Sequence, residues 1–597
     1  MTFLRKILYI TLVIFNCLTL FSQVKEEPKE RTIPIEEPVI FKDSLPKISV
    51  PDFVITGKEK IEISDRSKIQ LDESKIFSLS GKQSPNFETK DVSISESSIP
   101  FRKNLSDTYK PDMFSGFVKG EYGNFNSPAL SGGAAYGYDI FRASLSGNYI
   151  SRNENVDNSD FSKGEIHLSL GADLPETQNI FNESLVRLNV SYSQKKYNFY
   201  GLQKFITSIY PYESLPFENR LFAIGSSISS HDARFFNYKF DLSFSRFEDS
   251  ENPELYSYSK NIENIFRAGL SASYDYNGYL FSGGVDFRNS NISNDPQYDK
   301  NSALFSMSAG IDKEMLSGLY IHGGLKYYFF NYLFYYYGTG DDRNLFLPKI
   351  SVRYENLSNL SIEAGYDPDI HIISLSEFYK LNPYILCLQF NHLVDIHNIY
   401  LSADYSLKDF IKIKARVGYV EQEYSPYFDP TFSYSKNYSY WSASTFSENA
   451  KGMYGKLFID YQLDPANSFS LRFNYNNKRI ENHRILYNPD YSVSLDYFTI
   501  LSIGLTVNPS INIIGERRID QFYLFGIEDF RENGLWISDN EEFEKTIFLL
   551  NLDAEYPIFN NLIASISLNN IFNTRYSYYS GYEEYPFSIF AGIKFKW

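Results

Sequence analysis

Cysteine, methionine and tryptophan are scarce in this chain, at two, five and three in 597 residues. The only long apolar run, Ile7–Leu20, falls short of the roughly 20 residues a membrane-spanning helix requires. With a mean hydropathy of -0.33, a bundle of membrane helices is excluded. Basic excess is absent as well: 57 Lys and Arg stand against 73 Asp and Glu, for a net charge of -16, so there is no basic face for a nucleic acid. No glycine-rich phosphate loop, cysteine pair or nucleophile elbow is present, and neither a cofactor nor enzymatic chemistry is read from the chain. Aromatics, by contrast, are plentiful, with 50 Tyr and 51 Phe.

The N-terminus "MTFLRKILYITLVIFNCLTLFSQ" places Arg5 and Lys6 before the apolar run and Ser22 at a plausible cleavage point, so residues 1–22 read as an export signal. A lipid anchor at Cys17 is the weaker reading, because Asn16 precedes it where a small residue is expected. Cleavage would leave only Cys387, and no disulfide framework is possible within one chain. Residues 23–112 are rich in Pro, Glu and Lys and poor in aromatics, which predicts a mostly disordered periplasmic linker.

From 113 to 597 the text changes to segments of about ten residues that alternate in polarity, separated by Asn, Asp, Gly, Ser and Pro. In "YPFSIFAGIKFKW" the residues Phe587, Ile589, Ala591, Ile593, Phe595 and Trp597 share one face, and Phe590 alone breaks the pattern. Phe548, Leu550, Leu552, Ala554 and Tyr556 likewise oppose Asn551, Asp553 and Glu555. A hairpin turning at Asp464–Asn467 would carry Leu457, Ile459, Tyr461, Leu463, Phe469, Leu471, Phe473 and Tyr475 outward, with Lys456, Asp460, Arg472 and Asn474 inward. A soluble sandwich or propeller also alternates, but here the aromatic faces are broad and the charges are confined to the other face. Lipid demands both, since every backbone group must pair in a closed sheet and a midplane Lys or Arg costs roughly 2–4 kcal/mol. The expected fold is all-β: a large antiparallel transmembrane β-barrel of about 22 strands.

Long connections are expected at "YNFYGLQKFITSIYPYESLPFENR" and "EYSPYFDPTFSYSKNYSYW", and short ones at "DPAN" and "NPS". Asp341, Asp342, Asp367, Asp369, Asp539, Glu541 and Glu542 fall between strands and read as solvated tips. His371, His392 and His397, with Asp369 and Asp395, come nearest to a metal set, yet their spacing is too loose for ligands and they read as structural.

The final third resembles the C-terminal part of TonB-dependent receptors. The matching text is "YNPDYSVSLDYFTILSIGLTVNPSINIIGERR" and "SLNNIFNTRYSYYSGYEEYPFSIFAGIKFKW". Asn488 and Pro489, then Gly515 with Arg517, then Asn570, Ile571, Phe572 and Asn573 occupy the family's places, and Trp597 stands where the family ends in an aromatic. The resemblance implies ligand uptake across the outer membrane of a Gram-negative bacterium, in contact with lipid. It implies Phe595 and Trp597 as the signal read by the barrel assembly machinery. The segment before the barrel is too short and too polar for a complete plug domain. Within it, Asp52, Phe53, Val54, Ile55, Thr56 and Gly57 resemble the segment that lends a strand to TonB. Tyr427, Phe428, Phe432, Tyr434, Tyr438, Tyr440 and Trp441 are the candidate contacts for an unknown small ligand, against the alternative of an interfacial aromatic girdle. A passive porin, or a docking barrel for a separate plug or surface protein, are the rival functions. A wide lumen must be filled, and the long aromatic outer loops are the favoured filling.

Overall fold

The structure is a computed structural model that describes residues 114–597 apart from a set of connecting stretches. Residues 1–113 lie outside the described residues, and with them the expected signal, linker and Asp52–Gly57. From Phe114–Gly123 to Ser588–Lys596 each barrel strand pairs antiparallel with the next barrel strand, three small two-stranded pairings standing apart, and the last returns to the first, with Val118 opposite Phe595 and Glu121 opposite Gly592. This closes a 22-stranded barrel, in which the short pieces Asp369–Ile372 and His483–Arg484 merely prolong neighbouring strands. Closure leaves no free sheet edge, as lipid requires.

The period of two sorts the faces. On strand Phe236–Ser250, Phe236, Phe240 and Phe244 are exposed to the outside, and on strand Ile262–Tyr276 so are Phe266, Leu270, Tyr274 and Tyr276. Asn237, Lys239, Asp241, Ser243 and Ser245 alternate with them and line the lumen. The hairpin turning at Asp464–Asn467 follows the expected register, Leu457 opposite Phe473 and Ile459 opposite Leu471, with Tyr461, Leu463 and Tyr475 exposed. On the lumen side Lys594 pairs with Glu555 at 3.0 Å and Lys119 with Glu121 at 2.8 Å.

Tight turns gather at the rim where the described chain begins and ends. Asn277 and Gly278, at φ of 52° and 77°, supply the left-handed pair that joins two strands in a two-residue turn. Asp464 caps another, accepting from the Ala466 N–H at 2.7 Å. Longer connections leave from the opposite, outer rim. At the inner end Trp597 exchanges two backbone hydrogen bonds of 3.1 Å with Gly116, and a Cβ on Gly116 would lie 2.5 Å from the indole. The terminal ring is seated in a gap that only glycine leaves.

Three expectations are corrected. "NPS" is not a connection: Pro509 lies within strand Thr506–Ile514, opposite Leu552, and the turn falls at Leu501–Leu505 instead. Pairing with strand Tyr491–Ile500 skips from Ser510 to Val507, so the missing proline N–H costs no ladder bond on that side. "EYSPYFDPTFSYSKNYSYW" is largely strand, since Ile411–Tyr434 and Ser439–Asp464 form one hairpin of 24 and 26 residues that pairs up to Tyr434 opposite Ser439. A short helix, Leu375–Leu381, interrupts the β pattern. No helix among the described residues is long and apolar enough to cross a membrane.

Candidate functional site at the outer rim of the lumen

Near the outer rim the lumen wall ceases to be polar. Phe217, Phe247, Leu304, Tyr328, Phe330 and Leu347 sit on the inner register of five strands and are buried. They are covered by the connection that follows strand Leu360–Tyr366. Its first part, Asp369–Ile372, continues the sheet by pairing Asp369 with Ile396 and Ile372 with Leu393. Ile370 and Ile372 then pack on Leu304, Tyr328, Phe330 and Leu347.

Ions and hydrogen bonds fix this segment to the wall. Asp367, expected as a solvated tip, is buried between Lys326 at 3.0 Å and Lys349 at 3.4 Å. Asp369, expected likewise, accepts from the Tyr328 hydroxyl at 2.6 Å. Matched cations and donors offset part of what desolvation costs the carboxylates. Asp341, Asp342 and Glu542 fall on strand backbone, while Asp539 and Glu541 lie outside the described residues.

The helix starts with a reciprocal cap: the Glu377 carboxylate accepts from the Ser374 N–H at 2.5 Å, and the Ser374 hydroxyl accepts from the Glu377 N–H at 3.2 Å. Leu375, Phe378 and Tyr379 are buried against the wall, whereas Lys380 on the opposite face is exposed. The Tyr379 ring stacks on Phe247 at 5.4 Å and meets Phe217 at 5.5 Å. Its hydroxyl donates to buried Asp249 at 2.7 Å, which also accepts twice from Asn261. Glu263 accepts from the Leu375 N–H at 2.6 Å and from Ser290 at 2.7 Å. Past the helix, the Tyr197 hydroxyl donates to the Pro383 carbonyl. Burial alone would raise the Glu377 carboxyl, but a hydrogen bond and charge from His371, the Arg288 guanidinium and the Ser374 N–H hold it at about 2.

A second inward segment follows strand Leu562–Asn569. Asn570 and Asn573 adopt positive φ of 49° and 53°, and their side chains tie the turn: Asn570 accepts from the Thr574 N–H and donates to the Thr574 carbonyl, while Asn573 accepts from the Phe587 N–H, each at 2.9 Å. Asn enters this left-handed backbone more readily than most other non-glycine residues. Tyr576 and Tyr578 then pack on Ile514, Ile547 and Leu549 of the inner wall. The Arg517 guanidinium, wholly buried, lies 5.2 Å from the Tyr578 ring centre.

Of the three histidines, His371 faces Glu377 at 3.4 Å, while His397 stacks on Tyr366 and shares a 2.7 Å hydrogen bond with its hydroxyl. His392 lies outside the described residues. Among the described residues no three His, Cys, Asp or Glu gather as a metal site. Tyr427, Phe428, Phe432, Tyr434, Tyr440 and Trp441 are placed by backbone on the long hairpin, Phe432 opposite Trp441, and Tyr438 lies outside the described residues. Phe590, the exception in the terminal strand, is buried on the lumen side with Ala129 and Ile150, beneath Arg152 at 5.0 Å. Sequence reasoning missed the helix and its wall contacts. The available signals were apolar residues on the polar register and the Ser374–Glu377 spacing.

No protein-family model matches the chain, and no curated protein matches it in sequence. Solved structures do match in fold. The FrpB iron transporter from Neisseria meningitidis aligns over 83% of both chains with a TM-score of 0.59 and 11% identity. The ferric-catecholate import receptor Fiu from Escherichia coli K12 aligns over 81% of this chain and 82% of its own, at 0.58 and 10%. The ferripyoverdine receptor of the Pseudomonas aeruginosa outer membrane aligns over 82% and 72%, at 0.58 and 12%. The fold is that of TonB-dependent receptor-like outer-membrane barrels.

Proposed function

We propose that this chain is an outer-membrane barrel of the TonB-dependent receptor type, serving ligand uptake or passage across the outer membrane of a Gram-negative bacterium. The supporting observation is a closed 22-stranded wall with a lipid-facing aromatic belt and a charged lumen, similar in fold over four-fifths of its length to iron and siderophore receptors. A barrel of that size holds a solute-wide lumen. Asp52–Gly57 would lend an edge strand to TonB, and Phe595 with Trp597 would present the assembly signal. The aromatic side chains from Tyr427 to Trp441 would meet the ligand where the long hairpin rises from the outer rim. Because the solved neighbours are named for iron and siderophores, a ferric chelate is the first ligand to try.

The test is uptake of a labelled ferric catecholate by iron-starved cells whose only outer-membrane iron receptor is this chain, with and without a protonophore. Energy-dependent accumulation, lost on deleting Asp52–Gly57, is expected. Steady passage indifferent to the protonophore would identify a porin instead. Absence of uptake together with copurification of a partner would identify a docking barrel.

A further inference from the structure

The two inward segments do not stand at random around the wall. The first touches eight consecutive strands, from Ser184–Phe199, through Tyr197, to Thr339–Leu357, through Leu347 and Lys349. These are the fifth to the twelfth of the barrel. The second packs on Ile514 and Ile547, at the outer ends of the nineteenth and twentieth strands. The midpoints of the two sets are eleven strands apart, half the circumference of a 22-stranded barrel. Both sit towards the outer ends of their strands.

Twenty-two strands about 4.8 Å apart and tilted about 40° close at a backbone diameter of roughly 44 Å. A layer packed on a sheet lies about 10 Å from it and adds about 5 Å of its own half-thickness, so each segment occupies about 15 Å. Opposed across the lumen, two such layers leave a gap of about 14 Å along that axis. Both layers are built as fixed structure, on buried aromatics, matched ions and capped backbone. Each also carries an exposed cation, Lys380 on the first and Arg575 on the second, in a chain that is otherwise strongly acidic.

We propose that residues 367–381 and 570–579 are opposing jaws of a permanent slot at the outer mouth, which sets the size limit of whatever passes and, through Lys380 and Arg575, favours anionic solutes. The inference rests on the passage reading, yet it concerns the wall alone and is tested without any physiological ligand.

The experiment is planar-bilayer recording of the full-length protein with poly(ethylene glycol) exclusion, against two variants. One is the double substitution Phe378→Ala/Tyr379→Ala, which undocks the first jaw; the other replaces Leu375–Leu381 by a Gly-Ser linker of equal length. Retained heat-modifiable migration on gels establishes that each barrel has folded. The expected exclusion size rises from about 14 Å to about 24 Å once one jaw is withdrawn and only the wall's own side chains, about 5 Å deep, remain on that side. In a salt gradient the unaltered protein is expected to select anions, and Lys380→Glu/Arg575→Glu to reverse the sign of the reversal potential. An unchanged exclusion size in folded variants overturns the slot, as does closure of all three proteins, which would put the barrier elsewhere. An unchanged reversal potential overturns the charge assignment. Failure of ferric-chelate uptake alongside a shifted exclusion size would refute the receptor reading and leave the slot standing.

Discussion

The inner wall of this barrel is two surfaces, and strand Phe236–Ser250 carries both. Towards its inner end the lumen register reads Asn237, Lys239, Asp241, Ser243 and Ser245; near the outer rim it reads Phe247 and Asp249, both buried. Strand Lys300–Leu316 makes the same change, from Asp312, Gly310, Ser308 and Ser306 to Leu304. The lower surface faces water and follows the polar rule for a lumen. The upper one is the floor of a packed second layer and obeys the rules of a protein core. An apolar residue on the polar register therefore marks cover by another segment rather than a fault in the period.

The largest effect is expected where closure itself is removed. Deleting Phe595–Trp597 takes away the terminal ring seated on Gly116 and the inner-rim ladder bonds between last and first strands. Both surfaces should then be lost together, seen as absence of heat-modifiable migration and of outer-membrane yield. A truncated protein with normal migration and yield would show that neither depends on the terminal aromatic.

Next comes the packed surface by itself. Phe378 is fully buried against the wall, and Phe378→Ala should weaken docking of the helix by about 3–5 kcal/mol, as in a protein core. Ser245→Ala, on the watered part of the neighbouring wall, should change little. Hydrogen exchange across residues 375–381 reads the difference, and equal protection in the two variants would dissolve the distinction. The outside of the wall gives a slightly smaller contrast: Leu552→Arg should cost the barrel roughly 2–4 kcal/mol if that residue lies at mid-membrane, with Asp553→Asn mild. Equal urea midpoints would mean the faces are inverted.

The smallest effect is in pH. The Glu377 carboxyl is held at about 2, below its ordinary 4.5, so its contribution to helix docking is complete above pH 4.5 and is lost as pH falls towards 2. Amide protection at residues 375–381, corrected for intrinsic rates, should decline as pH falls from 4.5 towards 2. Glu377→Gln should flatten the decline.

Much of the fold was legible because lipid leaves few options. Alternation, aromatic breadth and segregated charge point to a closed sheet, and the tally of alternating segments gives about 22 strands. The Asn570–Asn573 turn was marked by the resemblance to TonB-dependent receptors, and its two asparagines take the positive-φ backbone. What escaped was whatever depends on a second layer. Asp367 and Asp369 look like loop-tip acids until Lys326, Lys349 and Tyr328, some forty residues earlier or less, are placed beside them. Pro509 reads as a turn until a neighbouring ladder is found with a gap to receive it. The helix was missed because seven residues are too few to show a period, although Ser374 and Glu377 spell its cap.

The central claim, that the segment after strand Leu360–Tyr366 is folded onto the lumen wall, is tested most directly by proximity in intact cells. In a Cys387→Ser background, the pair Phe217→Cys/Tyr379→Cys replaces two rings whose centres are 5.5 Å apart, while Phe244→Cys/Tyr379→Cys puts one thiol on the lipid face of the wall. A short bifunctional thiol reagent should join the first pair quickly, giving a gel shift, and leave the second unjoined. Equal or absent joining in both pairs would show that the helix does not lie on the inside of the barrel.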